Sequence, residues 1–118
     1  MKKLLISLGI ILMGSLTAGA SDTPEFPGGD AALTKYLIEN VKYPQISKDN
    51  GVEGVVAVQF IVHTDGSLGT IKIVRMVDPD LEQEAVRVVK NMPPWIPAEK
   101  NGQPVEAPAQ VNVPFVLE

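Results

Sequence analysis

"GVVAVQFIVHTDGSLGTIKIVRMV", Gly54 to Val77, decides the fold. In its first half, Val56, Val58, Phe60 and Val62 alternate with Val55, Ala57, Gln59 and Ile61, the two-residue period of a β-strand. Asp65-Gly66 then supplies a turn dipeptide whose glycine accepts positive φ without steric cost. Ile71, Ile73 and Val74 continue beyond the turn. The pattern predicts an antiparallel hairpin with strands at 54–64 and 69–76. Apolar side chains occur on both of its faces. One face is expected to pack on helices, the other to be partly covered or to join a partner.

Helical spacing flanks the hairpin on both sides. Upstream, "DAALTKYLIENV" places Leu33, Tyr36, Leu37 and Val41 on one face, with Asp30 to cap or open the helix. Pro44 ends or offsets it, and "PQISKDNG" adds one more turn closed at Asn50-Gly51. Downstream, "DPDLEQEAVRVVKNM" carries Asp78 or Asp80 as N-cap, Pro79 in the first turn and acids near the positive helix end. Leu81, Ala85, Val88 and Val89 form its core stripe. Pro93-Pro94 stop it.

"MPPWIPAEKNGQPV", Met92 to Val105, follows and holds the only tryptophan. Its prolines punctuate rather than recur at the spacing of a proline-rich ligand. Trp95 and Ile96 are expected to turn back under the sheet and cover the helix end. "EKNGQP" is expected to be an exposed turn with Asn101-Gly102 at its tip. A last strand is predicted at 110–117, where Val111, Val113, Phe115 and Leu117 alternate with Gln110, Asn112, Pro114 and Val116. Pro114 cannot donate a ladder hydrogen bond, which puts this strand at a sheet edge. Helix, strand, strand, helix, strand makes an α+β fold: a small three-stranded antiparallel sheet with two helices on one face.

The chain of 118 residues begins "MKKLLISLGIILMGSLTAGAS". Two lysines, an apolar run and Ala18-Gly19-Ala20 have the layout of a signal peptide over 1–20, cleaved before Ser21. The apolar run is shorter than the ~20 residues a spanning helix needs. Retention as an inner-membrane anchor is the alternative. Ser21 to Gly29, broken by Pro24, Pro27 and two glycines, reads as a short tether, and 30–118 as the domain. Cleavage would remove Lys2 and Lys3 and no acid, taking the formal charge from −4 to −6. An acidic domain with few aromatics is unsuited to nucleic acid or to an anionic membrane. The absence of cysteine excludes a disulfide framework and a lipid-modified cysteine.

Nothing in the pattern points to catalysis, a metal or a cofactor. His63 is the only histidine and sits beside a hairpin turn. One histidine plus carboxylates is a thin zinc set. Asp78, Asp80, Glu82 and Glu84 are explained by helix-end electrostatics. Gly28-Gly29-Asp30 is too short for a phosphate loop. The remaining candidate is a sheet edge in a secreted acidic domain, whose unpaired N–H and C=O groups an extended peptide can join.

The order of motifs resembles the C-terminal domain of TonB, the transducer that engages outer-membrane transporters. The resemblance rests on "FPGG" (Phe26–Gly29), "YP" (Tyr43-Pro44), "GVEGVVAVQFIVHTDGSL", "VDPDLEQEAVRVVKNMPPWIPA" and "VNVPFVLE". It implies the fold just derived and a periplasmic location. It implies that the last strand pairs with the transporter's TonB box, a role that falls on Gln110, Val111, Asn112, Val113, Phe115, Val116 and Leu117. It places Asn40, Val41, Lys42 and Tyr43 at a transporter contact. Relatives with Gln at the position of Asn40 have a longer reach there. A proton-coupled motor of the ExbB/ExbD type would be a partner only of an anchored chain. The nine-residue tether reaches only ~28 Å even as polyproline II, which suits a TonB-like binding domain without a motor attachment. Strand exchange into a homodimer through the same edge is the other use the resemblance implies.

Overall fold

The computed structural model describes residues 22–118, so the expected signal segment lies outside the described residues. In chain order the elements are α1 (Gly29–Asn40), α2 (Gln45–Asp49), β1 (Gly54–Val62), β2 (Leu68–Arg75), α3 (Pro79–Lys90), β3 (Ala98–Lys100), β4 (Gln103–Val105) and β5 (Ala107–Phe115). The main sheet is antiparallel with order β2-β1-β5. The α+β fold and the edge position of the last strand are as predicted; α2 is the extra turn after Pro44.

The hairpin turn forms at His63–Ser67. His63 N–H donates to Ser67 O (2.8 Å), and the Asp65 carboxylate accepts from Ser67 N–H (2.9 Å) and Ser67 Oγ (2.6 Å). These bonds to Ser67 hold the Asp65 carboxyl below its usual pKa. Gly66 adopts φ 88° and is pressed on the chain after α3: a Cβ there would lie 2.3 Å from Trp95 O. Trp95 N–H returns a bond to Gly66 O (2.9 Å).

The even-numbered face of β1 is the core. Val56, Val58, Phe60 and Val62 are fully buried, as are Leu81, Ala85, Val88 and Val89 of the α3 stripe and Val113 and Phe115 of β5. Each valine, leucine or phenylalanine side chain among them contributes ~1.5–3 kcal/mol on burial. Asp78 is the N-cap of α3, its carboxylate accepting from the N–H groups of Asp80 (3.1 Å) and Leu81 (3.2 Å). Its Oδ2 also accepts from Ser47 Oγ (3.3 Å), tying α2 to α3. The opposite face of the sheet is mixed: Ala57 and Pro114 are buried, Val55, Gln59 and Ile61 half-buried, and Lys72, Val74, Gln110 and Asn112 exposed.

Two expectations need correction, and a third gains detail. Asp30 does not cap α1; Gly28, at φ 89°, is the N-cap, and Asp30 sits in the first turn, where its charge still faces the positive helix end. β5 runs 107–115 rather than 110–117, because β1 sets its length: the nine residues of β1 pair without interruption from Val62↔Ala107 to Gly54↔Phe115. Val116 and Leu117 lie beyond the strand. The expected exposed turn at Asn101-Gly102 forms, and it closes a small hairpin, β3 with β4, with Asn101 at φ 54° and Gly102 at φ 77°. Two consecutive positive φ values match the turn that two-residue hairpins prefer.

The stretch expected as a tether is docked at its far end. Glu25 and Ile96 exchange two backbone hydrogen bonds (3.0 and 2.7 Å). Phe26 is buried, with its ring centroid 5.6 Å from Tyr36 and 5.8 Å from Trp95. Trp95 does turn back into the core, where it meets Phe60 edge-on at 5.1 Å, whereas Ile96 stays exposed.

Candidate functional site

The sheet has two outer strands, and they differ. β2 pairs with β1 through two register shifts, one between Ala57 and Val58 and one between Gln59 and Ile61. Thr70, beside the second shift, has φ 51°, and Lys72 and Arg75 are exposed. Bulges and cations of this kind blunt an edge. β5 is a regular strand with no register shift, and no strand pairs with its outer side among the described residues.

The prolines of β5 set which backbone groups point outward. In an antiparallel pair, successive residues direct their N–H and C=O alternately to the two sides. Pro108 and Pro114 are an even number of residues apart in an unbroken register, so they belong to the same set as Gln110 and Asn112. Turned toward β1, that set would leave two ladder donors missing. Turned outward, it lets residues 107, 109, 111, 113 and 115 complete the ladder, the placement proline takes in edge strands. The outer edge then carries the carbonyls of residues 108, 110, 112 and 114, but N–H donors only from Gln110 and Asn112.

The side chains sort in the same way. Gln110 and Asn112 lie on the solvent face, where Gln110 Nε2 donates to Asn112 Oδ1 (3.0 Å). Val111, Val113 and Phe115 point into the core. Val116 is exposed and Leu117 half-buried just past the strand.

Of residues 40–43, Tyr43 reaches the same end of β5, and Asn40, Val41 and Lys42 are tied to α1 and α3. Tyr43 lays its ring edge-on against Phe115, with centroids 5.5 Å apart, and donates its hydroxyl to Val52 O. Burial, with a smaller push from Glu53, raises the Tyr43 pKa and keeps that donor protonated. Val41 is buried and its N–H caps α1 onto Leu37 O (2.9 Å). The Asn40 side-chain amide donates to Tyr36 O (2.8 Å). Lys42 N–H donates to Glu84 Oε2 (2.6 Å). Arg87 grips both Glu84 oxygens (2.7 Å each) and donates to Asn40 O (2.9 Å). Burial pushes the Glu84 carboxyl up, but the Arg87 bonds and the Lys42 amide outweigh it, and its pKa falls below the ordinary value.

Glu84, which its place in the sequence explained only by helix-end charge, and Arg87 thus hold the backbone of residues 40–42 in place. Their i,i+3 spacing shows that they can meet. Nothing in the pattern connects them to residues 40–42, more than forty positions upstream.

At the other end of β5, His63 Nδ1 lies 2.5 Å from Glu106 Oε2, an exposed pair. No cluster of three or more His, Cys, Asp or Glu that could hold a metal occurs among the described residues. A shallow cleft of about 550 Å³ between the β1–β2 turn and the end of α3 offers Lys90 as its single charged side chain.

The molecule is thus a small α+β domain whose sheet is covered by helices on one face and, among the described residues, has one regular outer strand with no partner on its far side. The chain belongs to the family described as Gram-negative bacterial TonB protein C-terminal, which matches residues 39–117. Two solution structures of the Helicobacter pylori TonB C-terminal domain share the fold. One, of residues 179–285 of that protein, is 22% identical with a TM-score of 0.57, covering 73% of this chain and 78% of the other. The second, of residues 194–285, is 20% identical with a TM-score of 0.55, covering 72% and 89%. No curated protein matches the chain. Domains of this family are periplasmic and non-catalytic, and they generally partner TonB-dependent transporters; this chain is a domain of that kind and not an enzyme. No helix among the described residues is long and apolar enough to cross a membrane.

Proposed function

We propose that this domain binds the TonB box of an outer-membrane transporter, or a similar extended periplasmic peptide, by adding it as a strand to the outer side of β5. The observation that carries this reading is the contrast between the two edges: β5 keeps an unbroken register over its whole length, whereas β2 is twice shifted. Main-chain bonds to a regular edge give affinity, and the flanking side chains give selectivity. In this reading Gln110 and Asn112 supply the donors and the solvent-face contacts. Val111, Val113 and Phe115 hold the strand rigid from within. Val116 and Leu117 extend the contact past the ladder. Asn40, Val41, Lys42 and Tyr43 form the adjoining contact for the transporter, set in place by Glu84 and Arg87. A chain cleaved after residue 20 would act as a binding module without a motor of its own; a chain that keeps that segment would engage an ExbB/ExbD-type complex as a miniature transducer.

The test is titration of isotope-labelled protein with TonB-box peptides. The Gln110 and Asn112 amides should move most, with smaller shifts at residues 40–43. Peptide at millimolar concentration that leaves β5 unmoved, or moves β2 instead, would refute the proposal.

A further inference from the structure

We propose that Lys72 and Arg75, on the open face of the main sheet, receive an acidic segment of the same partner whose strand joins β5. The proposal rests on the strand-addition reading and concerns what the partner carries beside that strand. It starts from a contrast in charge. With Lys2 and Lys3 set aside, the formal charge of −4 becomes −6, yet all 14 acids lie outside β1, β2 and β5. Lys72 and Arg75 are the only charged residues of those three strands. Both are exposed. Neither makes an ion pair or a side-chain hydrogen bond among the described residues.

Register places both cations on one face, because directly opposed residues of an antiparallel pair share a face. Lys72 is opposite Gln59, and Gln59 is opposite Gln110. Arg75 is opposite Ala57, and Ala57 is opposite Asn112. The other face, with Val56, Val58 and Phe60, is the core. The open face thus has two rows, each with a cation on β2 and a carboxamide on β5. The rows are two residues of β1 apart, ~7 Å, and β2 lies two strand spacings from β5, ~10 Å. An extended segment with acidic residues at i and i+2 directs both carboxylates to one side, also ~7 Å apart. One carboxylate meets the Lys72 ammonium. The other meets the Arg75 guanidinium, whose fork takes a carboxylate through two parallel bonds. The side-chain amides of Gln59, Gln110 and Asn112 add neutral donors beside them.

Charge and continuity choose the occupant. Gln110 and Asn112 belong both to this face and to the strand that takes the added peptide, so the two surfaces are continuous. Outside the three strands acids outnumber cations, and they repel an acidic segment. The two cations therefore select the orientation of the partner as well as its charge. The favoured partner carries an extended strand for β5 and, a few residues away, a pair of acids one residue apart.

In the experiment, two peptides are titrated into the isotope-labelled protein and into its Lys72→Gln/Arg75→Gln variant. Each begins with seven residues of alternating threonine and valine. Each continues through Gly-Ser-Gly-Ser-Gly-Ser, which reaches ~20 Å and so serves either strand direction. One ends in Asp-Ser-Asp, the other in Asn-Ser-Asn. Both should move the Gln110 and Asn112 amides. At ~0.01 M salt the acidic peptide should bind the native protein about three- to tenfold more tightly, as two exposed ion pairs allow, and should also move Lys72 and Arg75. That advantage should vanish in the variant, and at ~1 M salt, where the Debye length is ~3 Å. Peptides that leave Gln110 and Asn112 unmoved refute strand addition, and this proposal with it. Peptides that move those amides with equal affinity refute the proposal alone. Two other results would overturn it by giving the cations another role. A variant that gains self-association in sedimentation equilibrium, with no advantage for the acidic peptide in the native protein, would mark them as guards of an edge. Native protein that binds phosphatidylglycerol vesicles through Lys72 and Arg75, without preferring the acidic peptide, would mark a lipid-binding face.

Discussion

Replacing Trp95 tests the core from which the binding edge is built. The ring is 6% exposed, 5.1 Å from Phe60 at 77° and 5.8 Å from Phe26 at 89°. It joins the docked leader to β1. Truncation of such a ring costs ~3–5 kcal/mol, including ~0.5–1.5 kcal/mol for each edge-on aromatic pair. A domain of this size has ~5–15 kcal/mol in total, so Trp95→Ala removes a large share. At ~4–8 °C per kcal/mol, its melting point should fall by at least ~12 °C. Trp95→Phe should behave differently. The indole Nε1 is buried with no hydrogen-bond partner among the described residues, a penalty of ~1–3 kcal/mol that the native protein already carries. Phenylalanine loses part of the ring area but relieves that donor, so its net cost should stay below ~2 kcal/mol. Urea unfolding followed by far-ultraviolet circular dichroism is the suitable assay, because both variants lack the only fluorescent indole. Trp95→Ala within ~0.5 kcal/mol of the native protein would refute the core role. Phenylalanine as damaging as alanine would mean that the indole N–H makes a bond that matters.

Two further outcomes are expected. Asp78→Ala removes the cap of α3, worth ~0.5–2 kcal/mol, and leaves the buried Ser47 hydroxyl without its acceptor; the combined loss in thermal unfolding should be ~2–3 kcal/mol, and Asp78→Asn should recover most of it. Glu84 has a pKa below its ordinary value of 4.5 in the folded state, so the unfolded chain binds protons more readily there. Its contribution is fully present above the unfolded glutamate pKa and is lost as pH falls through the folded value. Glu84→Gln should lower stability at neutral pH and flatten the acid limb of a stability-against-pH curve; an acid limb of unchanged slope would show that the carboxylate does not hold Lys42.

What was legible in the sequence follows from how local each signal is. The alternation from Val55 to Val62, the turn at Asp65-Gly66 and the Asp78-Pro79 helix start depend on neighbouring residues alone, and the structure keeps all three. Proline in the last strand correctly marked an edge, because a missing donor is a property of the residue itself. The place of Phe26 was not legible: a lone aromatic in a Pro/Gly leader has no periodicity, and its partners Tyr36 and Trp95 are distant in sequence. β3 and β4 have three residues each, too few for alternation to register, although Asn101-Gly102 carried a hairpin signal. The true start of the last strand was hidden for a different reason. Its length is set by pairing with β1, and Pro108 looks locally like an interruption. At the edge, the types of Gln110 and Asn112 could be read, but the Glu84–Arg87 grip on residues 40–42 exists only after folding.

The β1–β5 ladder also has a mechanical consequence. Its hydrogen bonds lie across the strands, and all nine residues of β1 find partners in β5. A strand seated on the outer side of β5 and drawn along its own axis would load these crosswise bonds together, in shear. Pulling the chain from its N-terminal side loads the leader, where the two Glu25–Ile96 bonds form a far shorter ladder ahead of Phe26. Load entering through the bound strand should therefore be held longer than load entering through the leader. Under tension the leader would yield before the β1–β5 ladder, lengthening the connection while the sheet stays closed.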